Sequence, residues 1–146
     1  VEHFTRYINR IARLSNLYRG EKLAPYHLNG QHHTYIINIC RNPGLTQEQL
    51  AQMISVSKSN VTRQLAFLEK ENYITRSVSP TDKRKMLVYP TEKALAIRPV
   101  IHEMLTDLNG QFLAEIPADQ QELLLSQLKI ILDKAQKIVS EQEANK

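Results

Sequence analysis

Along most of this chain apolar residues recur every three or four positions, and the pattern changes to an alternation only between residues 74 and 90. The first spacing marks one face of a helix and the second a half-buried strand. Phe4, Tyr7/Ile8, Ile11, Leu14 and Tyr18 predict a helix over residues 2–19, with Arg6, Arg10 and Arg13 on another face. Gly20 and Pro25 bracket a loop. Tyr35, Ile36, Ile39 and Cys40 predict the inward face of a helix from about Asn29 to Arg41, ended by Pro43-Gly44. Leu50, Met53 and Ile54 share a face of a short third helix, and Val61, Leu65 and Leu68 share a face of a fourth that is turned toward it. Ile74, Arg76 and Val78 alternate with Thr75, Ser77 and Ser79, and Met86 to Tyr89 is a second β-prone run. Beyond Pro90, a fifth helix starts at Thr91 and carries Ala94, Ile97, Ile101, Met104/Leu105, Leu108 and Phe112, with a kink expected at the interior Pro99. Pro117 opens a last helix, carried by Leu124, Leu128, Ile131, Ala135 and Ile138 to about residue 140, and a polar tail from Glu141 to Lys146 is expected to fray.

Residues 46–91 hold the densest local signals. Thr46 and Gln49 have the capping-box spacing, in which hydroxyl and amide each take a backbone group that the first turn leaves free. Ser55-Val56-Ser57 breaks the run, and Ser57 is a good N-cap for the fourth helix. Asn72 suits the left-handed residue that closes it. On the outer side of that helix a wheel gathers Ser59, Thr62, Arg63 and Ala66, a small and polar face with one Arg that fits a major groove. Pro80-Thr81-Asp82 begins a turn with Lys83-Arg84-Lys85 at its tip. Two short helices, a tight turn and a basic hairpin make a winged helix. The predicted class is mainly α with a small β-hairpin: a winged helix-turn-helix plus long terminal helices that form a homodimer interface.

The stretch SVSKSNVTRQLAFLEKENYITR, with Asp82-x-Arg84 and Val88-x-x-Thr91 in the wing, resembles the MarR family of bacterial and archaeal transcription regulators. Asn72 stands where that family usually has Gly, and Ala94 where a Gly commonly follows the Thr; both departures are chemically benign. The resemblance extends to the flanking helices, which match in order and length. It implies that the wing Arg, here Arg84, enters the minor groove with its guanidinium held by Asp82. It implies a dimeric, ligand-responsive regulator, usually a repressor, with a pocket between the dimer helices and the DNA-binding lobe. In these terms residues 28–91 form the DNA-binding lobe of a single 1–146 domain, and residues 1–22 and 92–142 its dimerisation region.

Charge sharpens the picture. The chain carries +4 overall, and between Ser57 and Met86 seven Lys/Arg face three acids, while the remainder has twelve of each sign. The whole excess therefore sits on the fourth helix and the wing, the electrostatic footprint of a nucleic-acid reader. Ser57, Lys58, Ser59, Asn60, Thr62, Arg63, Arg76, Asp82, Lys83, Arg84 and Lys85 are the DNA-contact candidates. Ser59, Asn60, Thr62 and Arg63 lie toward base edges and nearby phosphates, and Arg63 has the reach for guanine O6 and N7. The hydroxyls of Ser55, Ser57, Ser59 and Thr62 suit phosphates, as do Lys83 and Lys85. Arg84 suits a narrow A·T minor groove. Asp82 can hold Arg84, or bond its own backbone as a turn residue, and the two roles can coexist.

At 146 residues, 42% hydrophobic and 23% charged, the chain is long enough for one real core. No apolar run nears the length of a membrane span, and Val1-Glu2-His3 does not open a signal peptide; the absent initiator Met suggests that a few residues precede Val1. The lone Cys excludes an intrachain disulfide and points to a reducing cytoplasm. Four Gly leave little room for cofactor loops, and no nucleophile elbow or HExxH is present, so neither an enzyme nor a cofactor is expected. His27, His32 and His33 are close in sequence, but adjacent histidines point apart on a helix, and no metal site is expected.

The last helix is apolar on more than one face, through Leu123, Leu124, Leu125, Leu128, Ile131 and Leu132. Such a helix is buried on more than one side. Phe4, Ile8, Ile11, Leu124, Leu128 and Ile131 are the expected dimer contacts, and a dyad would set two recognition helices about one DNA turn apart (~34–36 Å). Arg10, Arg13, His32, His33 and Tyr35 are the candidates for a site binding a small aromatic carboxylate or phenolate; for the two histidines a surface or helix-start role is the alternative. For the switch, thiol oxidation at Cys40 is the alternative. For the function, the alternatives are a winged-helix protein-interaction module, to which an exposed Phe67 would contribute, or a nonspecific DNA-binding protein.

Overall fold

The computed structural model describes residues 2–146. Six helices and a small sheet follow one another: α1 (Glu2–Leu23), a 3-10 turn (Ala24–Tyr26), α2 (His32–Arg41), β1 (Leu45–Thr46), α3 (Gln47–Ile54), α4 (Lys58–Lys70), β2 (Ile74–Val78), β3 (Met86–Pro90), α5 (Glu92–Leu113) and α6 (Ala118–Ala144). The expected hairpin is part of a three-stranded antiparallel sheet in the order β1-β3-β2. β1 pairs Leu45 with Val88 and Thr46 with Leu87. Two residues are too few to show a period, so the pattern along the chain did not mark this strand.

The helix-turn-helix forms as its caps dictate. Thr46 Oγ1 accepts from Gln49 N at 3.1 Å, and Thr46 N donates to Gln49 Oε1 at 3.0 Å, closing the capping box. Ser57 Oγ accepts from Asn60 N at 3.2 Å at the start of α4. Between the helices Ser55 takes the left-handed conformation, at φ 57°. Asn72 does the same past the end of α4, at φ 65°. Both reverse the chain where a residue with a Cβ is strained.

The core lies among α2, α3, α4, the sheet and the first part of α5. Tyr35, Ile36, Ile39, Leu50, Val61, Leu65, Leu68, Ile74, Val88, Ala94, Ile97 and Ile101 are all buried. Within α3 the inward face differs from expectation: Ala51 is buried and Met53 is exposed, since Ala51 follows Leu50 at the buried side while Met53 lies round the helix from it. Phe112 also lies exposed near the end of α5. Gly30 packs against the backbone of α1, where an added Cβ would meet Asn16 O at 2.3 Å. Thr91 fastens the base of the wing: its N–H donates to Tyr73 O at 3.1 Å and its Oγ1 accepts from Ala94 N at 3.3 Å.

Chain contacts divide the molecule into two units, the first ending at Thr106 and the second running from Asp107 to Lys146. In the second, α6 continues through the stretch expected to fray and ends only at Ala144. Pro117 stands at its N-cap, one residue earlier than the N1 position expected, with extended backbone at ψ 146°. Gln121 Nε2 donates to the carbonyls of Leu113 and Ile116 at 2.9 and 2.7 Å, which ties the turn to the helix that follows. α5 runs through Pro99 as one helix. Pro99 is exposed, so water can reach the carbonyl one turn earlier that lacks its amide partner.

Candidate nucleic-acid interface

Two elements carry the polar outer surface of the helix-turn-helix lobe. On α4, Ser57, Lys58, Ser59, Thr62, Arg63 and Ala66 are exposed, while Val61, Leu65 and Leu68 bury the opposite face. Ser57 and Ser59 hydroxyls bond each other at 3.2 Å, and Thr62 Oγ1 donates back to Lys58 O at 2.9 Å. The N-terminal turn of α4 thus presents hydroxyls and two cations, Lys58 and Arg63, beside the positive end of the helix dipole.

The second element is the tip between β2 and β3. Ser79 Oγ, buried, accepts from Thr81 N and Asp82 N, both at 3.3 Å, while Ser79 N donates to Lys85 O at 2.8 Å. This fixes the backbone beneath Asp82. The Asp82 carboxylate then takes both expected roles at once. Its Oδ1 accepts from Arg84 N at 3.0 Å as a turn bond and from Arg84 Nε at 3.1 Å, and its Oδ2 accepts from Arg84 Nη2 at 3.2 Å. The bond to the Arg84 side chain, with that to its backbone, holds the Asp82 carboxyl below its ordinary range. The Arg84 side chain remains 90% exposed, so its guanidinium is oriented and still accessible. Lys83 and Lys85 flank it, exposed.

Arg76 is differently placed from the other candidates. Its Nη2 donates to Glu69 Oε1 at 3.0 Å and its Nη1 to Gln47 Oε1 at 3.2 Å, tying β2 to α4 and α3. Its side chain is 20% exposed. The paired Arg76 keeps the Glu69 carboxyl below its ordinary range. This geometry gives Arg76 a bracing role between elements, while its buried Nε has no partner among the described residues.

The five ligand candidates differ in burial and partners. Arg10 and Arg13 are exposed on α1. Tyr35 is 2% exposed within the core, and its hydroxyl has no partner among the described residues. His32 stands at the helix start, as the first residue of α2, but away from the surface: it is 1% exposed, stacked on Phe67 with ring centroids 4.8 Å apart. Its Nδ1 accepts from Asn29 N at 3.0 Å and its Nε2 meets Gln64 Oε1 at 2.8 Å. His33 Nδ1 donates to Gly30 O at 3.0 Å, the carbonyl that also takes Arg19 Nε at 2.8 Å. Burial and the nearby Arg19 charge bring the His33 pKa down to about 4. A separate cleft of about 270 Å³ is lined by Ile37, Arg41, Arg98, Pro99 and His102, none of them among the five. Cys40 is buried, and desolvation pushes its thiol above the ordinary range, which disfavours the reactive thiolate.

Sequence reasoning missed Gln64 and Gln47 as partners. For Gln64 a signal existed, since Asn60 and Gln64 stand four apart on one helix. For Gln47 none did: it meets Arg76 only through the packing of α3 against the sheet.

The fold and the two presented elements define a winged helix-turn-helix protein. A sequence model of the MarR family matches residues 28–86. The uncharacterized HTH-type transcriptional regulator YybA of Bacillus subtilis (strain 168) is 29% identical over 96 residues, 66% of this chain and 64% of that protein, so the match spans less than two thirds of that relative. A MarR transcriptional regulator from Methanosarcina mazei Go1 superposes with a TM-score of 0.89 at 22% identity, covering 94% of this chain and 99% of that one. A mutant MarR from E. coli, solved in complex with operator DNA, superposes with a TM-score of 0.80 at 26% identity over 88% of this chain and 92% of that one. Residues 28–86 are thus similar to the MarR family, whose members are transcription regulators, and the chain shares the fold of its solved members. Among the described residues no helix is long and apolar enough to cross a membrane.

Proposed function

We propose that this chain is a sequence-specific, double-stranded DNA-binding transcription regulator. It acts in the cytoplasm as a homodimer on a pseudo-palindromic operator and represses. The observation that carries this reading is the pairing of an exposed polar face on α4 with an Arg84 oriented by Asp82 at the wing tip. α4 enters the major groove and Arg84 the adjacent minor groove, with Ser57, Lys58, Lys83 and Lys85 on phosphates. The solved operator complex of the E. coli relative supports the DNA-binding part.

Residues 28–91 are the reading lobe, and residues 1–22 and 92–142 the dimerisation region. Apolar side chains left open in the single chain support dimerisation: Phe4, Ile8 and Ile11 on α1 are 46%, 40% and 50% exposed. On α6 no residue is buried, Leu124 and Leu128 are half-buried, and Ile131 is 39% exposed. Exposed apolar surface of this extent marks an interaction face. A small aromatic carboxylate or phenolate modulates binding by favouring a dimer whose recognition-helix spacing misfits the operator. Arg10 and Arg13, exposed on α1, are the cations proposed to meet it.

Selection from random duplexes at a stated salt concentration tests the core of this reading. An enriched palindrome is expected, and Arg84→Ala is expected to weaken binding to it strongly while the protein stays folded and dimeric by sedimentation. Binding that shows no sequence enrichment and only falls with salt would replace the reading with a nonspecific basic winged helix. Calorimetry with salicylate as the probe tests the ligand part, and absence of any binding heat counts against it.

A further inference from the structure

A chain of polar contacts runs from the α1–α2 loop into the recognition helix, and its hydrogen-bond directions are fixed from one end. Asn29 N–H can only donate, so His32 Nδ1, 3.0 Å away, must accept. A neutral imidazole accepting at Nδ1 carries its proton on Nε2. Nε2–H then donates across 2.8 Å to Gln64, whose facing atom must be Oε1. The Gln64 amide is thereby oriented with Nε2 toward Asn60, donating at 3.3 Å to Oδ1. Stacking of His32 on Phe67, with planes 10° apart, holds the ring that starts the series. Burial lowers the His32 pKa, which keeps the ring in the neutral form that the series requires.

The consequence falls on Asn60. Its Oδ1 already accepts from within α4, and its Nδ2 makes no hydrogen bond among the described residues. Asn60 lies in the first turn of α4, whose N-terminal residues are the ones that reach base edges in helix-turn-helix proteins. We propose that His32 is a positioning residue for sequence reading: acting through Gln64, it orients the Asn60 amide so that Asn60 offers donors and selects a base whose major-groove edge offers an acceptor. Guanine O6/N7 and thymine O4 offer acceptors and no donor; adenine sets a donor at N6 beside its N7 acceptor, and cytosine N4 offers a donor alone. This rests on the DNA-reading function proposed above.

The test is selection and sequencing of bound duplexes with the full chain and three variants, each checked for folding by circular dichroism. Wild type should enrich a palindrome with an acceptor-bearing base at one position per half-site. Asn60→Asp presents a carboxylate oxygen and should switch that position to cytosine or adenine by about fivefold or more. Gln64→Glu cannot donate to Asn60, so the Asn60 amide should turn over, and the same position should switch in the same direction. His32→Phe keeps the stack and removes both ring nitrogens, and should flatten the preference there while the other positions hold. If Asn60→Asp moves the position and Gln64→Glu does not, Asn60 reads DNA without the relay, and the proposal is overturned even should His32→Phe fail to fold. A palindrome unchanged by all three variants overturns it as well. Absence of any enriched sequence with wild type removes the DNA-reading function, and this proposal with it.

Discussion

Asp82→Asn separates the two tasks that one carboxylate performs at the wing tip. The amide oxygen of Asn can still accept from Arg84 N, so the turn survives, and from Arg84 Nε, though without the carboxylate charge; Nδ2 in place of Oδ2 cannot accept from Arg84 Nη2, so the two-point grip is lost. Arg84, a side chain that is 90% exposed, then regains much of its rotamer freedom. Immobilising a long side chain on binding costs about 0.5–1.5 kcal/mol, which corresponds to roughly a two- to tenfold change in affinity. The substitution also removes one negative charge beside DNA, which strengthens binding to any duplex. The useful quantity is therefore the ratio of operator to random-duplex affinity at matched salt, in which the general charge effect cancels. That ratio should fall roughly two- to tenfold. In an Arg84→Ala background the same substitution should leave it within about twofold, since no guanidinium remains to orient. A drop of equal size without Arg84, or an undiminished ratio in its presence, would refute the clamp and leave Asp82 a turn residue. Because Arg84 holds the Asp82 carboxyl below its ordinary range, the clamp persists from neutral pH through the usual Asp titration. It is lost only as pH falls below that range.

Arg63→Ala should relax base preference at one position per half-site and cost ~1–3 kcal/mol there, measured by competition with single-base operator variants; a uniform loss across all sequences would make Arg63 a phosphate contact. Ser55→Gly should stabilise the fold by about 0.5–1 kcal/mol in urea unfolding, because φ 57° strains a residue with a Cβ; an unchanged midpoint would remove that argument. Gly30→Ala should destabilise by ~1–3 kcal/mol, as its Cβ would fall 2.3 Å from Asn16 O, a backbone atom that cannot turn aside; an unshifted melting temperature would contradict this packing.

Local chemistry was readable wherever the residues that decide a feature stand within a few positions of one another. The Thr46–Gln49 box, the Ser57 cap, the left-handed Asn72 and the Asp82–Arg84 clamp all join residues two to four apart or use one residue's own backbone. Their geometry follows from chain connectivity, and tertiary packing has only to permit it. The period-three-and-four stripes of α2 and α4 likewise named their buried faces, because a full helical turn averages over local exceptions. In α3, with only about two turns, the stripe was too short to average, and Ala51 took the inward place expected for Met53.

What the sequence left open depends on residues far apart along the chain. Leu45-Thr46 became a strand only because Val88 and Leu87 lie beside it. Arg76 was legible as a wing cation, but its partners Glu69 and Gln47 reach its guanidinium only through folding. His32 gave no sign of burial in its own neighbourhood, and its task was decided by Gln64, 32 positions away, and by the face of Phe67. A charged or titratable side chain has its character set by whichever groups surround it, and for these residues packing between separate elements supplies those groups. The sequence alone thus determined the class of fold and the polar residues that α4 and the wing tip expose. The tertiary structure decided which polar residues of that lobe stay exposed and which ones are held by partners from other elements.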